Sequence, residues 1–461
     1  MSYNFLPYAQ DQQFLLPPSL HEWVGEESLE RFMSEVVDHL DAEGRLASFY
    51  GSYRPDGWGA PAYHPVMMVK VLLYGYATGV RSSRRIEAAL VRDVAFRFLA
   101  ANQKPDFRTI ADFRKKHLEE FDALFREVVE LCGEAGLVKL GRVAVDGRKV
   151  KGNAALDRNR TRKWIEKEVC EILEEAERID REEDEKYGPD LRGDELPKDL
   201  RTREGRLRKL KEARARLLAK EEEEKEQQAE RIRAKEEEAK RRGGRGPGRS
   251  LKPVEEMKFD EQKVNLTDCE SQLLNTRRGW VQGYNGQIMV DTTSQVIVAQ
   301  HVTNETNDVR ELRPLLEGCE EVTGRRPDEL LADAGYWSES NLECGGEQTE
   351  LFIATMKGWQ HLKELRKKGS PRGRIPQHYT SKERMARKLR TKRGAETYKQ
   401  RGQVEAVFGQ MHMRGLSSFL LRGRRGAGGE WSLFSATHNL LKLWRAGWRP
   451  PTSAGPEPAP A

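Results

Sequence analysis

The chain has 461 residues, 37% hydrophobic and 33% charged, and its 80 Lys and Arg against 74 Asp and Glu leave a net charge of +6. That length suits two or three domains, and so small a charge excess excludes a chain that binds nucleic acid through total charge alone; clustering has to carry any such argument. Five cysteines, Cys132, Cys170, Cys269, Cys319 and Cys344, are scattered without a Cys-x-x-Cys pair, which speaks against a zinc or dithiol centre and for reduced thiols in the cytoplasm. No run approaches the roughly 18 apolar residues that span a bilayer, so no membrane partner is expected.

Residues 1–140 read as helical. Leu29, Phe32, Met33, Val36, Val37 and Leu40 recur at helical spacing. A second apolar stretch, Val66 to Tyr76, follows Pro65 as a helix start does, and a third begins after Ser82 and Ser83. Thr109 to Asp112 has the form of a capping box, opening a helix that carries Arg114, Lys115 and Lys116 on an exposed basic face. Such helices suit a helix-turn-helix-like DNA-binding unit and an ordinary helical bundle equally well.

From Gly141 the texture changes to short β-branched runs: Val143 to Val145, Gln287 to Val290, Val296 to Val302, Glu329 to Ala332 and Leu351 to Thr355. A helix over Asp308 to Val322 interrupts them, so a mixed α/β unit is expected over 141–155 and 258–448. Residues 156–257 form a charged insertion that includes Glu221 to Glu224 and Lys235 to Glu238. Leu200, Leu207, Leu210 and Leu217 sketch a seam there, but the apolar stripe fades, which favours a mostly exposed helix or helical pair over a sustained coiled coil. Arg241 to Ser250, dense in Gly and Arg, reads as a hinge, and the Pro- and Ala-rich 449–461 as a disordered tail.

Three acids stand out. Asp146 closes the apolar run Val143 to Val145, and Asp333 closes Leu330 to Ala332. Each has a glycine just beyond, and each taken alone is as readily a turn residue. Glu405 follows Tyr398 and Arg401 in a segment read as one helix from Tyr398 to Gly409. At roughly 100° per residue, Tyr398, Arg401, Glu405 and His412 share a polar stripe beside the apolar Val404, Val407, Phe408 and Met411. Three carboxylates suit a pair of hard divalent ions, Mg²⁺ or Mn²⁺, which prefer oxygen ligands and can clamp the attacking and leaving oxygens of a phosphodiester. Arg401 and His412 would then meet phosphate, and Tyr398 would orient Arg401 or stack on a base. Basic residues lie to either side in the chain, Lys388, Arg390, Lys392 and Arg393 before the helix and Arg422 and Arg424 after it, which points to DNA. Trp337 and Trp359 could stack on bases but read more readily as core.

Tyr398, Arg401 and Glu405 have the Tyr-x2-Arg-x3-Glu spacing of one branch of bacterial insertion-sequence transposases of the DDE class, which the chain resembles. Ala332 to Tyr336 and Gly283 to Gln287 resemble segments of their core, and His64, Pro65 and Ser82 to Glu87 resemble their N-terminal domain. In two places the chain departs from the family pattern: His412 stands where a basic residue usually follows the glutamate, and Asp268 lacks the proline that often comes after it. The resemblance implies an RNase H-like mixed sheet flanked by helices, an all-α N-terminal domain, and a triad of Asp146, Asp333 and Glu405 holding two metal ions. It also implies cleavage at element ends and strand transfer into target DNA, with double-stranded DNA as substrate and a homodimer in the DNA complex. The alternatives are an RNase H-like nuclease without strand transfer and an inactive DNA-binding protein.

Overall fold

A computed structural model describes residues 19–53, 61–169, 171, 198–242, 253–256, 259, 262–276, 279–356, 370, 371 and 373–451. Trp359, Leu200's side chain, most of the Gly- and Arg-rich stretch and nearly all of the C-terminal tail lie outside them.

The N-terminal part folds into six helices: α1 (Leu29–Ala42), α2 (Pro65–Thr78), α3 (Ser83–Arg92), α4 (Val94–Leu99), α5 (Phe107–Lys116) and α6 (Leu118–Glu134). The residues at helical spacing in α1 are those it buries, Phe32, Met33, Val36, Val37 and Leu40, and Ser28 caps it by accepting from the Arg31 amide. Pro65 stands at the first position of α2, where its missing N–H costs nothing. The expected capping box at Thr109 is absent: the N-cap of α5 is Asp106, three residues earlier, whose carboxylate accepts from the Thr109 amide at 2.7 Å. Nor is Arg114 part of an exposed basic face. It is 2% exposed and donates to the Tyr76 hydroxyl, the Arg81 carbonyl and the Ser83 hydroxyl.

The sheet is built from β1 (Arg142–Lys151), β4 (Gln272–Thr276), β5 (Gly279–Asp291), β6 (Ile297–Thr303), β7 (Glu329–Ala332) and β8 (Glu350–Ile353), with β2 (Asn159–Thr161) and β3 (Lys263–Asn265) paired separately. β5 is central, antiparallel to β1 on one edge and to β4 and β6 on the other, and β7 and β8 continue parallel beyond β1. Three antiparallel strands followed by two parallel ones, with helices packed on them, is an RNase H-like arrangement.

Two sequence expectations change here. β1 does not stop at Asp146; it runs on to Lys151, because the long β5 continues to pair with it through Lys151↔Gly283, so Asp146-Gly147 is not a turn. The next helix, α8 (Leu312–Thr323), starts four residues later than Asp308, whose side chain is engaged elsewhere. In the charged insertion α7 (Lys198–Arg242) is a single 45-residue helix, and Leu210, Ala213 and Leu217 bury a short stretch of it against Ile165 and Val264.

The C-terminal half of the sheet unit adds α9 (Glu339–Cys344), α10 (Ser381–Arg390), α11 (Lys392–Lys399), α12 (Gly402–Met413) and α13 (Gly423–Arg445). α13 is buried along nearly its whole length, between α2 and α6 on one side and β6 on the other, and one hydrophobic cluster runs from α1 to α13 through the sheet. Gly286 on β5 lets it approach: a Cβ there would stand 2.7 Å from the ring of Trp431, whose indole N–H donates to the Gln287 carbonyl.

Candidate active site

β1 and β7 run parallel side by side, but their pairing ends at Ala144↔Leu331, two residues before each aspartate. Beyond that point the sheet opens between them. Asp146 projects from β1 at this opening, and Asp333 caps the short turn Ala334–Tyr336, its carboxylate accepting from the Gly335 amide at 2.7 Å. Adjacent strands thus deliver two acids to one place, as rigid anchors.

Glu405 comes from the other direction. The segment from Tyr398 to Gly409 is not one helix: α11 ends at Lys399, Gln400 and Arg401 form a tight turn with i→i+3 bonds, and α12 restarts at Gly402. Val404, Val407, Phe408 and Met411 still form the buried face of α12. Arg401 keeps its i, i+4 pairing with Glu405 across the break, donating to Oε1 at 2.6 Å, while its other terminal nitrogen lies 3.5 Å from Asp146 Oδ2. One guanidinium therefore touches two of the three acids.

The electrostatics follow from that crowding. Burial pushes the Asp146 carboxyl up to about 7; Arg401 opposes the shift, and the like charges of Asp333 and Asp308 add to it. Burial also raises Asp333, against the Gly335 N–H and Arg401, which favour its ionised form. Among the described residues no three His, Cys, Asp or Glu side chains stand as a ready-made metal cluster. The donor chemistry nevertheless fits a hard cation: two crowded aspartates share a site whose nearest positive charge is Arg401, an arrangement that a divalent ion would relieve.

The remaining anticipated residues are divided. Tyr398 donates to the carbonyl of Ala332 at 3.2 Å, bracing the strand end beneath Asp333, and burial pushes its hydroxyl up to about 12. The exposed His412 hydrogen-bonds through Nδ1 to the Leu416 carbonyl, at the end of its own helix. Lys388 pairs with Glu350 at 2.8 Å, and Arg393 with Glu329 and Glu350. Those glutamates begin β7 and β8, so this part of the basic run lies at the strand starts, on the order of 10 Å along β7 from Asp333. Arg390 is half-buried, its Nε without a hydrogen-bond partner; Lys392 is exposed. Arg422 donates to the Asn153 carbonyl, and Arg424 has an exposed side chain while its amide donates to Glu270. Trp337 is half-buried against the core.

Sequence reasoning missed Asp308, which it placed in a helix. The loop carrying it folds back so that Oδ1 accepts from Asn285 Nδ2 and Gln287 Nε2, both at 2.7 Å. Asn285 and Gln287 are two apart on β5 and face the same side, a pattern visible in Tyr284 to Ile288 as polar residues in an otherwise apolar run. It also passed over the packing of Arg148, two residues beyond Asp146, whose guanidinium lies over the Phe408 ring and donates to the Phe408 carbonyl at 3.3 Å.

No helix among the described residues is long and apolar enough to cross a membrane. No curated protein and no solved structure matches the chain. Two family models do: a transposase domain (DUF772) over residues 18–116 and a transposase DDE domain over residues 268–440. The second spans the positions of Asp333 and Glu405 and begins after Asp146. DDE transposases act on DNA and generally use divalent metal. With transposase models over both its helical N-terminal part and most of its sheet, the chain belongs to the DDE transposases of insertion sequences, enzymes that move DNA.

Proposed function

We propose that Asp146, Asp333 and Glu405 form the catalytic triad of this transposase, and that they hold two Mg²⁺ or Mn²⁺ ions. The observation that carries the reading is the Arg401 guanidinium in contact with both Asp146 and Glu405, beside the strand end that presents Asp333. Residues more than 250 positions apart in the chain meet at one cation. Metal bound there would activate the attacking water or 3′ hydroxyl and stabilise the leaving oxygen. The chain's own groups do the rest: β1 and the Ala334–Tyr336 turn fix the two aspartates, Tyr398 braces the second strand end, and Arg401, freed from the acids, contacts a phosphate of the bound strand. The Tyr398, Arg401, Glu405 spacing supports placement in the Tyr-x2-Arg-x3-Glu branch.

For the rest of the chain, we assign DNA binding to the helical residues 1–140, catalysis to 141–155 with 258–448, and an accessory role to the insertion 156–257. Lys392, Arg422 and Arg424, with their exposed side chains, are the proposed DNA contacts, and two copies would hold the two ends of an element in the cytoplasm, at the nucleoid. The test is cleavage of a duplex carrying the element end, with Mg²⁺ present. Asp146→Asn, Asp333→Asn and Glu405→Gln each lower cleavage by about 10³-fold or more while DNA binding in a mobility-shift assay stays within a few-fold. Wild-type cleavage by any one of them removes that residue from the triad.

A further inference from the structure

Each proposed catalytic aspartate is followed closely by a glycine, and the same side chain explains both glycines. A Cβ at Gly147 would lie 2.7 Å from Asp308 Oδ1, 2.9 Å from Asn285 Oδ1 and against the Gln287 amide nitrogen. A Cβ at Gly335 would lie 2.9 Å from Asp333 Oδ1 and 3.1 Å from Asp308 Oδ2. The Asp308 carboxylate thus fills the space between the backbone beside Asp146 and the backbone beside Asp333, one oxygen toward each.

Its two oxygens are treated differently. Oδ1 is held by two amides, Asn285 Nδ2 and Gln287 Nε2, and the orientation of the second is set because the Tyr336 hydroxyl donates to Gln287 Oε1. Oδ2 faces Asp333, where another carboxylate oxygen is a repulsive neighbour. A further acceptor stands on the Asp146 side of the carboxylate: Asn285 is 1% exposed, and its Oδ1, close to Gly147, has no hydrogen-bond partner. A buried carbonyl without a donor and a carboxylate oxygen facing another carboxylate, one on each side of Asp308, are surroundings a hard cation satisfies.

We propose that Asp308 is a fourth carboxylate of the cation site, fixed through Oδ1 by Asn285 and Gln287 and offering Oδ2 to the ion on the Asp333 side. This rests on the reading of Asp146 and Asp333 as metal ligands. A purely structural Asp308 would serve only to tie the loop before α8 to β5, and the two roles separate in a binding measurement.

The experiment titrates Mn²⁺ into the full-length protein without DNA, reading free Mn²⁺ by electron paramagnetic resonance and, in parallel, the thermal midpoint of the metal-free protein. Asp308→Asn is expected to weaken Mn²⁺ binding by tenfold or more, and Asp308→Glu, which keeps the carboxylate, to recover most of it. A D308N protein with wild-type Mn²⁺ affinity and only a lowered metal-free midpoint overturns the proposal. If D308N does not fold, Asp308→Ser gives the same comparison against D308E. Asp146→Asn serves as the companion: loss of affinity in D146N with none in D308N sinks the fourth carboxylate alone, whereas wild-type affinity in D146N sinks the underlying assignment of the metal to this site.

Discussion

Replacing Glu430 tests how firmly the N-terminal helices are joined to the catalytic sheet. Glu430 sits on α13 with no exposed surface, and its carboxylate has four donors: the Tyr76 hydroxyl and Arg81 Nη1 on Oε1, both at 3.0 Å, and the amides of Leu420 and Leu421 on Oε2, at 2.7 and 3.3 Å. Arg81 is 8% exposed, donates also to the Ser418 carbonyl, and lies over the Phe434 ring. Glu430→Leu would strand this guanidinium and the Leu420 amide in the interior, at a cost of about 3–5 kcal/mol. Glu430→Gln keeps the shape but must turn its NH₂ toward one set of donors, costing about 1–3 kcal/mol. If the charge pair is the cause, Arg81→Met combined with Glu430→Leu costs less than Glu430→Leu alone, because no buried charge is left without a partner. Urea unfolding followed by circular dichroism gives these differences, and limited proteolysis shows whether residues 29–134 come loose first. A Glu430→Leu protein within 1 kcal/mol of wild type, or a double variant as costly as both singles together, would refute the reasoning.

Other expectations follow from the same geometry. Asp146, raised from 3.8 to about 7 by burial, gives folding its full contribution below the unfolded value near 4 and loses it as pH climbs through about 7. Metal-free wild type should therefore be less stable at pH 8 than at pH 5 by on the order of 2–4 kcal/mol through this group, and Asp146→Asn should be the more stable protein at pH 8; a variant that is less stable at every pH contradicts this. Gly147→Ala should cost about 1–3 kcal/mol in urea unfolding, since the added methyl meets Asp308 and Asn285; an unchanged midpoint would show that β1 can shift away from them. Lys392→Ala should lower the slope of log affinity against log salt by about one, while Lys388→Ala, whose ammonium already pairs with Glu350, should leave that slope unchanged in a mobility-shift titration. Equal slopes for the two variants would mean that the Glu350 pair opens on DNA.

The amphipathic helices were legible in the sequence because burial follows the 3.6-residue period locally: the apolar positions of α1 and of α12 are the ones that pack. The strand content of the second half was legible for the same kind of reason, since Val and Ile runs suit a sheet buried on both faces. The three acids were singled out through their setting, two closing apolar runs and one beside Tyr398 and Arg401, although the single helix expected there is broken at Gln400 and Arg401.

What the sequence could not supply was anything that depends on a distant partner. α13 opens with Gly423, Gly426, Gly428 and Gly429, a composition that argues against a helix at roughly 1 kcal/mol per glycine, yet it is helical, with Gly429 packed closely on Leu118 of the N-terminal part. Asp146 looked like a strand end and is mid-strand, because β5 extends the pairing of β1 past the point where β7 leaves it. Lys388 and Arg393 looked free for phosphate and are matched to glutamates that lie next to them only after the sheet has formed. Local periodicity is written in neighbouring residues and survives in one dimension. Strand partners, ion pairs and the meeting of Asp146, Asp308, Asp333 and Arg401 are fixed by contacts across hundreds of positions, and only the tertiary structure decides them.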